Sequence, residues 1–445
     1  MTTTIISSAM TTTQTMDGND IILLTPTGSV VMLGLEAFLS TGANDRLVVS
    51  GYVASDYAAI YSAEKGFQFH LTSTGVVQNI SNDNFAAYFF GGDANILVDG
   101  AISGAVGMTI SGINSELVNT GAINGLGNSL DDTGTGTALQ ANGENLLVNN
   151  SGQMIGTRTG VDDNYGAANN LYLINSGEIS GSEAGVRLLS GSDQFIENTG
   201  VISASNGFSL DIAAGGVEVR NYGLLDGDVQ MIGEDSELAN LGTILGDVTF
   251  GDGTDTFQGK LNGFVDGAVY GNLGDDTLRG SARDDEFYGG ADNDSLKGND
   301  GDDLLYAGGG DDTIRGNLGD DQIEGNQGQD WILGGRGDDN IKAGSGMDTI
   351  NGGKGDDVMT GGTGADVFVF ARKSGDDEIT DFNNNTDKLD LSAYGISSRQ
   401  DLTDANAILA DGAGSIIDLR QIGGDGVIYV EDMGVGQWSN PDFIF

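Results

Sequence analysis

The sequence predicts an all-β chain: a right-handed parallel β-helix of about ten coils, continuing into a parallel β-roll closed by a C-terminal β cap. Two spacings and the composition predict it. Eleven nonapeptides run end to end over residues 271–369, each with Asp at its sixth position and an apolar residue at its eighth. Upstream, a looser motif returns at intervals of 23, 24, 25, 21, 31, 25, 23, 23 and 19 residues, measured between its glycines. Gly supplies 75 of the 445 residues, Pro only 2, and 38% of the chain is hydrophobic, much of it in short Val/Ile/Leu runs. This is material for a continuous core of short strands and turns, unlike a Pro/Gly-rich disordered chain. The expected division is 1–250 for the β-helix, 251–369 for the β-roll and 370–445 for the cap.

The upstream motif is one or two apolar residues, then Asn or a small polar residue, then Gly, then an apolar residue. One copy reads Leu117-Val118-Asn119-Thr120-Gly121-Ala122-Ile123, and it returns around Gly177, Gly200 and Gly223. Weaker copies centre on Gly28, Gly51, Gly75, Gly100, Gly152 and Gly242. A drifting period marks a parallel solenoid whose loops vary while its strands stay in register. In the copy at Gly177, strands are expected over 178–180, 185–189 and 194–198, with Val186 and Leu188 inward and Arg187 outward. The corner Gly is expected to supply backbone angles that other residues avoid. Asn just before it suits a turn and a hydrogen-bonded ladder along successive coils. Residues 246–250 still read as a coil strand, 251–257 as an isolated nonapeptide-like turn, and 260–270 as an irregular stretch before the array. No flexible linker intervenes, so the two solenoids are expected to share one core.

In the array the sixth-position residues are Asp276, Asp285, Asp294, Asp303, Asp312, Asp321, Asp330, Asp339, Asp348, Asp357 and Asp366. The eighth-position residues are Leu278, Phe287, Leu296, Leu305, Ile314, Ile323, Ile332, Ile341, Ile350, Met359 and Phe368; position one is Gly, or Ala at Ala307 and Ala343. Six residues then form a Gly-rich turn and three a short strand whose middle side chain enters the core. Two nonapeptides make one coil, so every second turn stacks, and each Asp with neighbouring carbonyls brackets an oxygen-lined gap. Oxygen ligands in flexible, ~6–8-fold geometry suit calcium better than magnesium, and an array without Cys or His excludes zinc. Columns of six and five repeats give about nine bridging calcium sites, and Asp255 in the isolated turn is a further candidate ligand. Arg283 and Asp292 replace the fourth-position Gly, so the array is least regular near 280–297. Without the ion, the Asp columns repel and the Gly-rich turns keep their entropy, so the array is expected to be unfolded.

This pattern, G-G-x-G-x-D-x-U-x, resembles the RTX (hemolysin-type) calcium-binding repeats of secreted bacterial proteins. The stretch Phe370-Ala371-Arg372-Lys373-Ser374-Gly375-Asp376-Asp377-Glu378-Ile379-Thr380-Asp381-Phe382, continuing through Ser392, looks like the cap that follows such repeats. The ending Asp442-Phe443-Ile444-Phe445 resembles the uncleaved signal read by type I exporters. The resemblance implies the type I export machinery as a partner, a secreted, extracellular or cell-surface location, and folding on calcium after passage. A tail read by an exporter need not pack. Consistent with this, the opening residues 1–16 are Thr-rich without a basic residue and do not read as a Sec-type signal.

Charge narrows the partners. The net charge is −48, from 66 acidic against 18 basic residues. Such self-repulsion destabilises a compact state unless cations bind, and it argues against nucleic acid or an anionic membrane as a partner. No apolar run approaches the ~18 residues that span a bilayer, and there is no Cys for a disulfide.

The β-helix half resembles the solenoids of adhesins and polysaccharide lyases, so fold alone leaves its activity open. Chemistry is thin. The single His70, in Phe67-Gln68-Phe69-His70-Leu71, falls on the outward side of a strand. No H-E-x-x-H, no G-x-S-x-G with a usable His and no Asp-Pro-His core is present. A lyase would use Arg158, Arg187 and Arg220 as a stripe for uronate carboxylates, and a glycanase would use Asp162, Asp163 and Glu183 as paired carboxylates. Tyr52, Tyr57, Tyr61, Phe85, Tyr88, Phe89 and Phe90 form either a sugar-stacking platform or, the favoured reading, an apolar cap on the solenoid end. The expectation is a non-catalytic structural or adhesive component of a surface layer or matrix, with self-association or cell-surface polysaccharide as its contacts. A polysaccharide lyase or glycanase is the alternative.

Overall fold

The computed structural model describes all residues except 1–2, 17, 19, 33–36, 82–83, 128–135, 164–168, 412–413, 432 and 435, so the first two residues of the Thr-rich opening lie outside the described residues. The chain is an all-β parallel solenoid of about 17 turns with little helix, against the ten or so coils expected of its first part. It divides into two compact units, Met1–Val248 and Thr249–Phe445.

The first unit stacks three strands per coil. In the coil that follows Gly177 these are Glu178–Gly181, Ala184–Leu188 and Phe195–Asn198, within a residue or so of the spans expected from the spacing. Val186 and Leu188 are fully buried and Arg187 faces outward between them. Ile179, Ile202 and Leu225 sit in register on successive coils, as do Val161, Val186 and Leu210. Each is enclosed by the same position one coil away, so a change such as Ile202→Ala would leave a cavity and cost about 2–5 kcal/mol.

One inward column changes chemistry part-way. Ile6, Leu24, Val49, Leu71 and Val98 occupy it first; Asn119, Asn150, Asn175, Asn198, Asn221 and Asn240 occupy it afterwards. Each Asn donates its amide to the next one's Oδ1 at 2.7–2.9 Å, which makes the expected ladder. The weaker sequence copies at Gly28, Gly51, Gly75 and Gly100 belong to the aliphatic coils, whereas those at Gly152 and Gly242 carry ladder residues Asn150 and Asn240.

The corner glycines answer to a different constraint from the one expected. Gly121, Gly152, Gly177, Gly200, Gly223 and Gly242 are outside the left-handed region. A Cβ on any of them would lie 2.1–2.2 Å from the carbonyl oxygen of the equivalent Gly one coil back. Close stacking of the corners, not backbone freedom, requires Gly there.

In the second unit the nonapeptide strands pair in parallel exactly one coil, or 18 residues, apart. Leu278, Leu296, Ile314, Ile332, Ile350 and Phe368 form one buried column; Phe287, Leu305, Ile323, Ile341 and Met359 form the other. This is the two-repeat coil read from the sequence. The irregular stretch is shorter than expected, because Val269–Leu273 already pairs with the strand at 286–291. In the cap, Asp377–Ile379 and Lys388–Asp390 extend the two columns, and a meander of Ile408–Asp411, Gly414–Asp418 and Val427–Val430 closes one of them. The tail strand Phe443–Ile444 closes the other by pairing with Leu389 and Asp390. Phe443 is buried and stacks with Trp438 and Phe445. The tail, which export alone would not require to pack, therefore packs as the cover of the last coil's apolar edge. No helix among the described residues is long and apolar enough to cross a membrane.

Candidate metal centre

Two left-handed residues make every nonapeptide turn except that of Asp285. The fourth-position glycines, such as Gly301, Gly319 and Gly337, have φ of +118° to +128°, and the second position is Gly or Asn, as at Gly335 and Asn317. Asn tolerates this region better than most L residues. The turn swings the sixth-position Asp beneath the strand and buries it.

The buried carboxylates are tied in one direction. The backbone N–H of Asp276 donates to Oδ1 of Asp294, Asp294 to Asp312, Asp312 to Asp330, Asp330 to Asp348 and Asp348 to Asp366, at 2.7–3.0 Å. The second column runs likewise through Asp285, Asp303, Asp321, Asp339 and Asp357. Asp255 enters the first column by donating to Asp276, so the turn read as isolated belongs to the ladder. Asp377 and Asp387 of the cap continue the two columns, which the nonapeptide spacing did not reveal because they fall 20 and 21 residues after their partners.

The other carboxylate oxygen is left over. Oδ2 of Asp276, Asp294, Asp303, Asp312, Asp321, Asp330, Asp339, Asp348, Asp357, Asp366 and Asp377 is buried without a hydrogen-bond donor among the described residues. Burial raises these acids out of the ordinary carboxylate range, to about 8 at Asp294, Asp303 and Asp339 and about 6 at Asp321, Asp348 and Asp366. Where position one of the repeat is Gly, that Gly lies beside the oxygen. A Cβ on Gly316 would sit 2.0 Å from Oδ2 of Asp321 and 2.7 Å from the carbonyl oxygen of Gly334. The same pair of oxygens recurs at Gly271, Gly289, Gly325 and Gly334. Unsatisfied, negatively charged oxygen beside backbone carbonyl oxygen is the donor set of a hard cation, and it fits calcium. Among the described residues no cluster of three or more His, Cys, Asp or Glu gathers at one point, so carbonyls would have to complete any calcium site.

Asp285 differs. Its Oδ2 accepts from the N–H and hydroxyl of Ser281, and neither Ser281 nor Arg283 has the left-handed backbone of the other turns. Asp292, the other replacement flagged by the sequence, keeps a positive φ of 75°, and Asp294 beside it keeps its unpaired oxygen. The irregularity is thus confined to one turn.

A second row was not anticipated. The fifth-position Asp284, Asp302, Asp320, Asp338 and Asp356 are exposed, and each Oδ1 accepts from the backbone N–H of the fifth residue one coil further on. Fifth- and sixth-position carboxylates therefore bond in opposite directions along the stack. Each of these turns is held from both sides. The repetition of Asp at position five was the available signal.

On the first unit the candidate catalytic groups are engaged with one another. Asp162 pairs with Arg187 at 2.5 Å, and Glu183 with Arg158 at 2.9 Å. Asp163 accepts from the backbone of Leu189 and Ser190. Arg158 holds Glu183 below its ordinary range, while burial raises Asp163. Arg220 lies on a different strand stack, paired with Glu218, so the three arginines form no stripe. His70 faces outward as expected, 2.9 Å from Asp99. The aromatic group does not cap an end, because its strand Phe85–Phe89 has a paired strand on either side. Phe89 is buried against Phe67 and Phe69, while Tyr61, Phe85, Tyr88 and Phe90 pack together on the outer face.

A family model described as the RTX calcium-binding nonapeptide repeat (4 copies) matches residues 270–305, 297–332, 306–341 and 333–368. Among solved structures the chain is similar to the extracellular lipase LipA from Serratia marcescens, with 20% identity and a TM-score of 0.20, covering 38% of this chain and 40% of that one. The chain thus spans less than half of that protein, and a likeness this slight carries no argument about activity. No curated protein matches.

Proposed function

We propose that this chain, whose residues 270–368 are RTX calcium-binding repeats, is a secreted structural or adhesive protein that folds its array on calcium outside the cell. In this reading it leaves through a type I exporter, binds about nine calcium ions in the array, and serves without catalysis in a surface layer or matrix. The observation that carries it is the double column of buried, unpaired Oδ2 atoms, a structure that repels itself until a cation enters. When bound, calcium supplies the missing charge and ties adjacent turns together. The sixth-position Asp residues hold it, the Gly-rich turns present carbonyls, and the apolar eighth positions seal the core beneath.

The alternative, a polysaccharide lyase or glycanase on the first unit, has less support. A general acid needs a proton to give, and a carboxylate paired with Arg, such as Glu183, stays ionised. Incubating the calcium-loaded protein with alginate, pectate and acidic bacterial exopolysaccharide tests the reading. It predicts no new unsaturated or reducing ends, and release of either would replace it with the enzymatic one.

A further inference from the structure

On one sheet of the second unit, Arg279, Lys297 and Arg315 stand in register on three successive coils. The residues before them, Leu278, Leu296 and Ile314, are buried, so the three cations share the outer face. Like charges directly opposite in a sheet repel, and among the described residues none of the three forms an ion pair with a carboxylate, in a chain with 66 acidic residues. Lys342, on the other sheet, does pair, with Glu324 at 3.0 Å. Beside the cations runs a row of hydroxyl residues, Thr277, Ser295 and Thr313, also in register, followed on the next coil by Trp331. Trp331 is 39% exposed, and the Arg315 guanidinium lies 4.7 Å from its ring centre.

We infer that this face binds an acidic polysaccharide, laid along the coil axis with its carboxylates on Arg279, Lys297 and Arg315. Coils rise by about 4.8 Å, so the cations repeat at a spacing of the order of one sugar unit. The hydroxyl row offers hydrogen bonds to ring hydroxyls, and Trp331 offers an apolar face for a ring to stack on. Charge decides between this occupant and a second copy of the chain. A second copy would bring its whole acidic surface, and the mutual repulsion of two such molecules opposes the contact. A single-file polymer brings to the face only the charges that the row matches. This inference rests on the calcium-folded array proposed above, because the row exists only when the coils are stacked.

The test uses the calcium-loaded full chain and polygalacturonate, with dextran as the neutral polymer, in affinity electrophoresis at low salt. Retardation by polygalacturonate alone is expected, together with loss of at least about tenfold in affinity in the triple variant R279Q/K297Q/R315Q. A smaller loss is expected for Trp331→Ala, and none for Lys342→Gln. Equal retention of the triple variant would overturn the inference, since calcium bridging of polymer to acidic surface would then explain binding. If the triple change instead abolished self-association in sedimentation while polymer retention stayed unchanged, the occupant would be a second copy, and the inference would fall. Circular dichroism of the triple variant must keep the calcium-dependent β signal. If binding fails with that signal intact, the glycan face is wrong and the calcium reading stands.

Discussion

A buried carboxylate with one oxygen bonded to a backbone N–H and the other without a donor is the unit from which the second half of this protein is built. At Asp294, Asp303 and Asp339 burial raises the folded value to about 8, and at Asp321, Asp348 and Asp366 to about 6. In an unfolded chain these groups titrate at about 3.9. A raised folded value means that the folded state holds protons more tightly. Its contribution is fully present below about pH 4 and is lost as pH rises through about 6 to 8. Calcium-free protein should therefore gain β signal as pH falls from 8 to 5, followed by circular dichroism; a flat or declining signal would contradict the burial. Asn198 makes the complementary case in the first unit, where both neighbours in the ladder are satisfied by amides. Asn198→Ala would leave buried groups unpaired on both sides and lower stability by about 1–3 kcal/mol, with Asn198→Ala more damaging than Asn119→Ala at the start of the ladder. Equal melting temperatures for the two variants would count against that. The identity of the ladder residues was legible in the sequence; the steric reason for the corner glycines was not, because spacing shows where a Gly falls and not which atom approaches it.

Among the elements, the pairing of every second nonapeptide is the claim with consequences. Asp312 donates to Asp330, whereas Asp321 donates to Asp339 in the other column. D312N/D330N should lower calcium stoichiometry in the first column and weaken its neighbours, while Asp321→Asn should act only on the second. Isothermal titration reads the difference, and unchanged stoichiometry in the double variant would show that the turns are paired wrongly. The period of two repeats was readable because the eighth-position residues must all enter one core. The opposed bonding of the fifth and sixth positions was not, since the direction of a side-chain bond leaves no trace in spacing. Nor was the packing of the tail, which depends on the cap presenting an open strand edge at Lys388–Asp390. Deleting residues 442–445 should thus lower the melting temperature of the second unit in calcium as well as stop export. An unchanged melting temperature would restore the unpacked tail.

For the molecule as a whole, a charge of −48 sets the conditions under which it folds. The first unit buries mainly apolar side chains and a ladder of neutral asparagines. The second unit buries carboxylates in two columns and needs their charge offset. On the proposed export route, calcium outside the cell would supply that offset, whereas low calcium inside would leave the array open for passage. Fold class and ligand were legible at this scale because a nonapeptide repeated eleven times admits few structures. The role of the first unit was not, because a solenoid wall is compatible with many functions. Hydrogen–deuterium exchange on the full chain, in chelator, in millimolar calcium and in the same concentration of magnesium, tests the central claim most directly. Amides of residues 271–369 should exchange freely in chelator and magnesium and become protected in calcium, while those of 1–248 stay protected throughout; equal protection of 271–369 without calcium would contradict it.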